Sequence, residues 1–134
     1  MVQKLIEGMH FIYNFYDKLF LYYYNLKKND DDTPEYFPII IVSTGQAVNI
    51  FFFVILLFYF LEIQFSFLPK IYLALHLGVV VFNYYLYEIK GRTEVLLKKN
   101  INLSMSFKVS SYIYFAISIS SPFILIYFIQ EYLM

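Results

Sequence analysis

Cysteine is absent from the 134-residue chain, which excludes a disulfide-stapled scaffold and a cysteine-ligated zinc site. Charged residues make up only 15%, and ten basic residues balance ten acidic ones, so net charge gives no general attraction to nucleic acid. Glycine occurs only four times, too rarely for a phosphate-binding glycine loop. His10 stands one turn from Glu7, a pair more typical of a solvated helix face than of a metal site. No catalytic motif occurs, so we expect no enzyme activity, no cofactor and no metal.

In contrast to cysteine, glycine and charged residues, apolar residues are abundant. They make up 60% of the chain, compared with about 45–50% in soluble domains. Aromatic residues alone make up 23%, and mean hydropathy is +0.60. A soluble domain this small would have to cover most of its surface with polar atoms. The composition therefore predicts an all-α integral membrane protein, with residues 1–134 forming a single membrane domain in contact with the lipid bilayer.

Three uncharged runs are long enough to cross a bilayer, which needs about 20 mostly apolar residues in a helix. They cover residues 37–61, 71–87 and 109–130. Only a short segment, residues 62–70, separates the first two runs from each other. We therefore predict a tight transmembrane hairpin followed by a third span.

The boundaries of these runs carry helix signals. Thr33 is predicted as the N-cap of the first span and Pro34 as its first helical residue, while Glu62 closes it. Pro69 stands where a second helix can begin. Pro122 lies inside the third span, where it frees a backbone carbonyl and is expected to kink the helix unless neighbours or hydroxyl groups compensate.

Residues 1–28 form a different pattern, in which polar residues recur every three or four positions. The recurring polar residues are Gln3, Glu7, His10, Asn14, Asp17, Lys18, Asn25 and Lys28. This spacing predicts an amphipathic helix, which we expect to lie in the membrane interface. A crossing helix would place Asp17 and Lys18 near the bilayer centre, where charge is costly. The alternative is a protein with four transmembrane helices.

Basic residues predict the orientation, because positive charge stays on the cytoplasmic side. Five of them lie between the second and third runs, whereas the hairpin turn holds only Lys70. We expect the 88–108 connection in the cytoplasm, the C-terminus outside, and a bacterial inner membrane as the location. We also expect the second span to continue as a helix through Leu97 and to break around Asn100–Asn102.

A layer of polar residues inside the spans is the candidate functional site. Its members are Gln46, Asn49, His76, Asn83, Ser118, Ser120 and Ser121. At about 1.5 Å of rise per residue, Asn49, His76 and Ser120 are predicted at roughly 16–18 Å from the inner boundary. Such residues either hold helices together or mark a pathway for an ion, a proton or a lipid group. We favour packing, because the spans contain no carboxylate and one histidine, and a three-helix bundle has little room for water.

Three functions remain open. The first is a small multi-pass membrane protein that acts by association with other membrane helices, as a homo-oligomer or as an accessory subunit. The second is a membrane-perturbing effector or a pore-forming oligomer lined by the polar layer. The third is a small transporter that uses Asp17 as a coupling carboxylate, which requires the first helix to span.

Overall fold

The protein is all-α, as the composition predicts. A computed structural model describes residues 1–99 and 101–133, with side chains given for all of these except residues 5–13. Helix accounts for 84% of the chain, and the described residues contain no strand. The five helices are α1 (Val2–Lys27), α2 (Tyr36–Phe60), α3 (Leu68–Tyr84), α4 (Arg92–Lys98) and α5 (Met105–Phe128). Short π-helical turns extend two of them, Tyr85–Ile89 after α3 and Ile129–Leu133 after α5.

Three helical stretches in the described part of the chain are long and apolar enough to cross a membrane. They run from Tyr36 to Phe60, from Phe65 to Ile89 and from Met105 to Leu133. Each contains or nearly coincides with one of the predicted spans. The second and third extend beyond the predicted ends, because a 3₁₀ turn at Phe65–Phe67 precedes α3 and the π turns follow α3 and α5.

The start of α2 differs from the prediction. Its N-cap is Glu35 rather than Thr33, and no side chain caps it. Thr33 instead bonds locally, since its backbone N–H donates to Asp31 Oδ1 at 3.1 Å. An aspartate that accepts from the backbone two residues later forms an Asx turn, which competes with a helix start. Pro38 is buried in the first helical turn, where its missing N–H leaves no hydrogen bond unmade.

The end of α2 matches the prediction that Glu62 closes the span. Glu62 adopts the left-handed region with φ 56°, and Ile63 N–H donates to the carbonyl of Phe58 at 2.9 Å. This is the hydrogen bond of a Schellman motif, in which a left-handed residue ends a helix. The chain then turns tightly into α3, whose first turn contains Pro69 as predicted.

The connection after α3 is broken earlier than the prediction of a helix through Leu97. Gly91 adopts φ 70°, a conformation that an L-residue with a side chain enters at a cost. It stops the helix and reorients the chain, so that residues 92–98 form the separate helix α4. Asn102 lies outside any helix, as expected, whereas Asn100 is not among the described residues.

The inside of α5 accommodates Pro122 within a continuous helix. Proline lacks an N–H and leaves the carbonyl of Ser118, four residues earlier, without its usual partner. The Ser121 hydroxyl donates to that carbonyl at 3.0 Å. A hydroxyl thus satisfies the freed group, which is one of the ways in which membrane helices tolerate proline.

Two core clusters hold the helices together at opposite ends. The first lies at the end where α2 and α5 begin and α3 finishes, which we call the connection end. Its buried members include Leu19, Phe20 and Leu21 of α1, and the ring of Phe20 stacks on Tyr87 with centroids 4.3 Å apart. The second cluster joins Ile55, Phe58, Leu68 and Ile129 near the hairpin turn. The second half of α1 therefore packs on the connection end.

The helices differ strongly in how much the rest of the chain covers them. In the most apolar 18-residue stretch of each candidate span, 44% of α2 residues are buried, compared with 17% around α5 and 6% around α3. α2 is therefore the central helix. α3 packs mainly on α2 and leaves most of its apolar surface uncovered.

Candidate functional site: polar contacts between the helices

The predicted polar layer is distributed over separate contacts, each of which joins two or three helices. The first centres on Asn83 of α3, which is 1% exposed. Its amide nitrogen donates to Ser43 Oγ and to Gln46 Oε1, both at 2.8 Å. The Ser43 hydroxyl in turn donates to the carbonyl of Ile39 at 2.6 Å. These bonds tie α3 to α2 near the connection end.

The second contact joins three helices at Asn49 of α2. Its amide nitrogen donates to the Tyr114 hydroxyl of α5 at 2.6 Å and lies 3.3 Å from the Tyr16 hydroxyl of α1. The two hydroxyls are themselves hydrogen-bonded at 2.9 Å. Gly45, one turn earlier, permits this approach, because a Cβ there would lie 3.0 Å from the Tyr114 hydroxyl oxygen. The sequence reasoning did not identify either tyrosine as a partner.

The third contact places His76 of α3 against Thr44 of α2, with Nε2 3.2 Å from the hydroxyl oxygen. The hydroxyl donates its proton to the carbonyl of Ile40 at 2.8 Å. Because the hydroxyl has a single proton, His76 Nε2 is the donor to Thr44 in this arrangement. The ring also lies 5.7 Å from that of Tyr72 on its own helix.

The prediction that Ser120 lies at the same level as Asn49 and His76 does not bring the serines of α5 into contact with those residues. Ser120 is exposed and donates to the carbonyl of Ala116 at 2.7 Å, within its own helix. Ser121 bonds to Ser118 as described above, and the Ser118 side chain is buried. The partner of Asn49 on α5 is Tyr114 rather than Ser120. A phenol reaches across a helix interface, whereas a serine hydroxyl near the surface returns to its own backbone.

An ion pair at the connection end lies outside the predicted layer. Asp17 of α1 accepts two hydrogen bonds from Arg92, from Nε at 2.9 Å and from a terminal nitrogen at 2.7 Å. The Tyr87 hydroxyl approaches the same carboxylate at 3.4 Å. The Asp17 side chain is 11% exposed and that of Arg92 30%. The bidentate pair fastens α1 to the start of α4.

The ion pair also changes the interpretation of the polar stripe on α1. Asp17 is buried, whereas Asn14, Asn25 and Lys28 are exposed, so the stripe does not face one environment throughout. The only sequence signal of the ion pair is that a carboxylate such as Asp17 needs a partner wherever it is buried. The side chains of Glu7 and His10 lie outside the described set.

Two tyrosines join α1 and α5 close to this end. The hydroxyls of Tyr22 and Tyr112 lie 3.0 Å apart. This hydrogen bond, together with burial, raises the pKa of Tyr22 to about 12. The phenol is therefore neutral at any physiological pH and acts as a hydrogen-bonding group only.

A cavity of about 660 Å³ lies between α2 and α3, beside two of these contacts. Gln46, Asn49 and Asn83 line it together with apolar and small residues, among them Ala74 and Gly78. Within the described part of the chain, no three histidine or acidic side chains come together to hold a metal ion. The chemistry of the arrangement is hydrogen bonding between helices, with side-chain amides and hydroxyls as the main participants.

Comparison with protein-family models, with curated proteins and with solved structures found no match for this chain.

Proposed function

We propose that this is a small multi-pass membrane protein that acts by association with other membrane helices, as a homo-oligomer or as an accessory subunit, without catalytic activity. The observation that carries the proposal is the uncovered surface of α3. In the most apolar 18-residue stretch around this helix, only 6% of the residues are buried. Helices in a membrane associate by close packing, which small residues permit. Ala74 and Gly78 lie one turn apart on α3 and are exposed where they line the cavity beside α2, and a Cβ added at Gly78 would meet nothing within 4 Å, so a partner helix has room to approach α3 there.

The way in which the polar side chains are used supports the same proposal. Gln46, Asn49, Asn83 and His76 all bond to side chains of other helices of the chain. Every buried side-chain nitrogen or oxygen in the described part of the chain has a hydrogen-bond partner. A pore-forming oligomer, the second function considered above, would need its lining groups to bond to water or to an ion, whereas these groups are bonded to one another and to neighbouring helices. Asp17 is likewise engaged by Arg92, which favours a structural role over that of a transporter's coupling carboxylate.

We further propose a bacterial inner membrane location, with the 88–108 connection in the cytoplasm and the C-terminus outside. The concentration of lysine and arginine in that connection supports the orientation. The contacts of Phe20 with Tyr87 and of Asp17 with Arg92 hold part of α1 at the connection end. Tyr16 of α1 also bonds at the level of Asn49, predicted at roughly 16–18 Å from the inner boundary, which favours the alternative in which α1 enters the membrane beside α2 and α5.

Subunit counting in lipid vesicles tests association. Each chain carries one dye, and photobleaching steps are counted at low protein density. The wild type should show more than one step per particle. If it is instead an accessory subunit, cross-linking in native membranes should capture it with a different membrane protein, and Ala74→Leu should reduce that capture.

Ala74→Leu and Ala116→Leu form a matched pair of variants. Both make the same chemical change at an exposed alanine, the first on α3 and the second on α5. Ala74→Leu should reduce association, because the added side chain keeps helix backbones apart, whereas Ala116→Leu should not. A monomer in vesicles that also lacks any cross-linked partner would overturn the proposal.

A further inference from the structure

A second cavity, of about 390 Å³, lies at the connection end between the end of α1 and the start of α5. Five of its eight lining residues carry polar side-chain groups, and none is acidic; these five are Tyr22, Asn25, Lys28, Asn102 and Lys108. Of the polar contacts between helices described above, only that of Tyr22 with Tyr112 borders this cavity. The cavity is therefore separate from the polar layer.

The lining is suited to an anion. Lys28 and Lys108 bring two ammonium groups, and the single ion pair among the described residues is that of Arg92 with Asp17, so neither lysine is neutralised by a described carboxylate. Asn25 and Asn102 add amide groups that donate hydrogen bonds. The raised pKa of Tyr22 keeps its hydroxyl neutral, so it does not repel negative charge. Lysine ammonium groups bind phosphate as point charges.

The surroundings of the cavity point to an amphiphile. Lys108 is the last charged residue before the uncharged run of α5, which is the level at which lipid phosphates meet a transmembrane helix. Immediately beyond it, Val109 and Ile113 are exposed apolar residues on α5. A ligand with a phosphate in the cavity can therefore lay hydrocarbon chains along this helix.

We propose that the cavity binds the phosphate of an anionic phospholipid. Basic pockets beside membrane helices recognise such headgroups through charge. The site holds one lipid molecule in a defined place, at the end of the bundle where α1 is attached. This binding is independent of the association proposed above and requires only that the helices lie in a membrane.

Native mass spectrometry of the full chain in a neutral detergent tests the proposal, with phosphatidylglycerol as the probe and phosphatidylcholine as the neutral comparison. The wild type should retain one phosphatidylglycerol in preference to phosphatidylcholine. Each lysine near an anionic headgroup contributes about fivefold in affinity, so Lys28→Gln with Lys108→Gln should weaken binding roughly 25-fold. The double variant Lys28→Arg with Lys108→Arg should keep most of the affinity, which guards against a folding defect.

The control is Lys98→Gln with Lys99→Gln, which removes the same charge from exposed positions at the same end of the molecule. It should leave the affinity nearly unchanged. If both double glutamine variants weakened phosphatidylglycerol binding equally, the attraction would be an unspecific effect of charge, and the proposed site would be overturned. Equal retention of the two lipids by the wild type would overturn it too. Displacement of the lipid by inorganic phosphate at equal concentration would show that a free anion is the ligand, which contradicts the lipid assignment.

Discussion

At the residue scale, Asp17 and Arg92 form the single ion pair among the described residues. The buried carboxylate of Asp17 has its charge matched by a guanidinium in bidentate geometry. Removing one partner of a buried ion pair leaves the charge of the other partner without a counter-charge. The helix α1 therefore depends on Arg92 for its attachment as well as on the apolar contacts of Leu19, Phe20 and Leu21.

Asp17→Asn should lower the stability of the bundle. Because Arg92 is 30% exposed and partly solvated, we expect a loss of about 1–3 kcal/mol rather than the larger cost of a fully buried pair. Thermal unfolding in detergent, followed by circular dichroism, measures the change. Asp30→Asn makes the same substitution at an exposed site and should have little effect. Equal melting temperatures for the two variants would contradict a structural role of the pair.

The residue scale is also where sequence reasoning reached least far. Gln46, Asn49, His76 and Asn83 could be selected because polar side chains are rare in an apolar run. Gln46 and Asn83 bond to each other. The partners of Asn49 could not be selected, because Tyr16 and Tyr114 look like any interfacial tyrosine until the helix angles are known. Arg92 was counted only as one of the five basic residues of the 88–108 connection. Its partner, Asp17, lies 75 residues away, a separation that leaves no periodic signal.

At the scale of the helices, the sequence located the elements well and their ends less well. Long uncharged runs identified α2, α3 and α5, because length and hydropathy are additive properties of the residues. The predicted N-cap at Thr33 was wrong, since Asp31 bonds locally to Thr33. The helix predicted through Leu97 stops at Gly91, and only the folded chain reveals the positive φ of that glycine.

The left-handed residue at the end of α2 gives a prediction of increased stability. Glu62 has a side chain in a conformation that costs about 1–2 kcal/mol for an L-residue. Glu62→Gly should therefore raise the free energy of unfolding by about 1 kcal/mol, measured by thermal unfolding in detergent. Glu62→Ala removes the same charge but keeps a Cβ, and it should bring no such gain. If Glu62→Gly and Glu62→Ala changed the stability equally, the loss of the charge would explain the change, and the backbone conformation would not.

The hydroxyl beside Pro122 gives a second prediction at this scale. Ser121→Ala should cost about 1 kcal/mol, because the carbonyl of Ser118 then loses its donor. In a Pro122→Ala background, the new backbone N–H can bond that carbonyl, so the same serine substitution should cost much less. Unfolding of the four variants forms a double-mutant cycle. Additive costs would show that the hydroxyl does not compensate for the proline.

At the scale of the whole molecule, the orientation is the first property to test. The basic residues of the 88–108 connection predict that a reporter fused after Lys99 indicates the cytoplasm and that one fused at Met134 indicates the outside. If α1 lies in the interface, a cysteine placed at position 2 of the cysteine-free chain is shielded from an impermeant thiol reagent in intact cells. A cytoplasmic reading at Met134 would reverse the orientation, and labelling at position 2 would favour four spans.

In the bundle as a whole, the polar side chains pair with one another and the apolar surfaces are left for association. The most direct test is the ion and proton permeability of vesicles that contain the wild-type chain, measured with a pH-sensitive dye at external pH 5 to 8. An imidazole on a conducting path would change its charge in about this range. Because Nε2 of His76 is bonded to Thr44, we predict no leak above that of empty vesicles at any pH. A pH-dependent leak that His76→Leu abolishes would contradict the account and make a pore the better description of the protein.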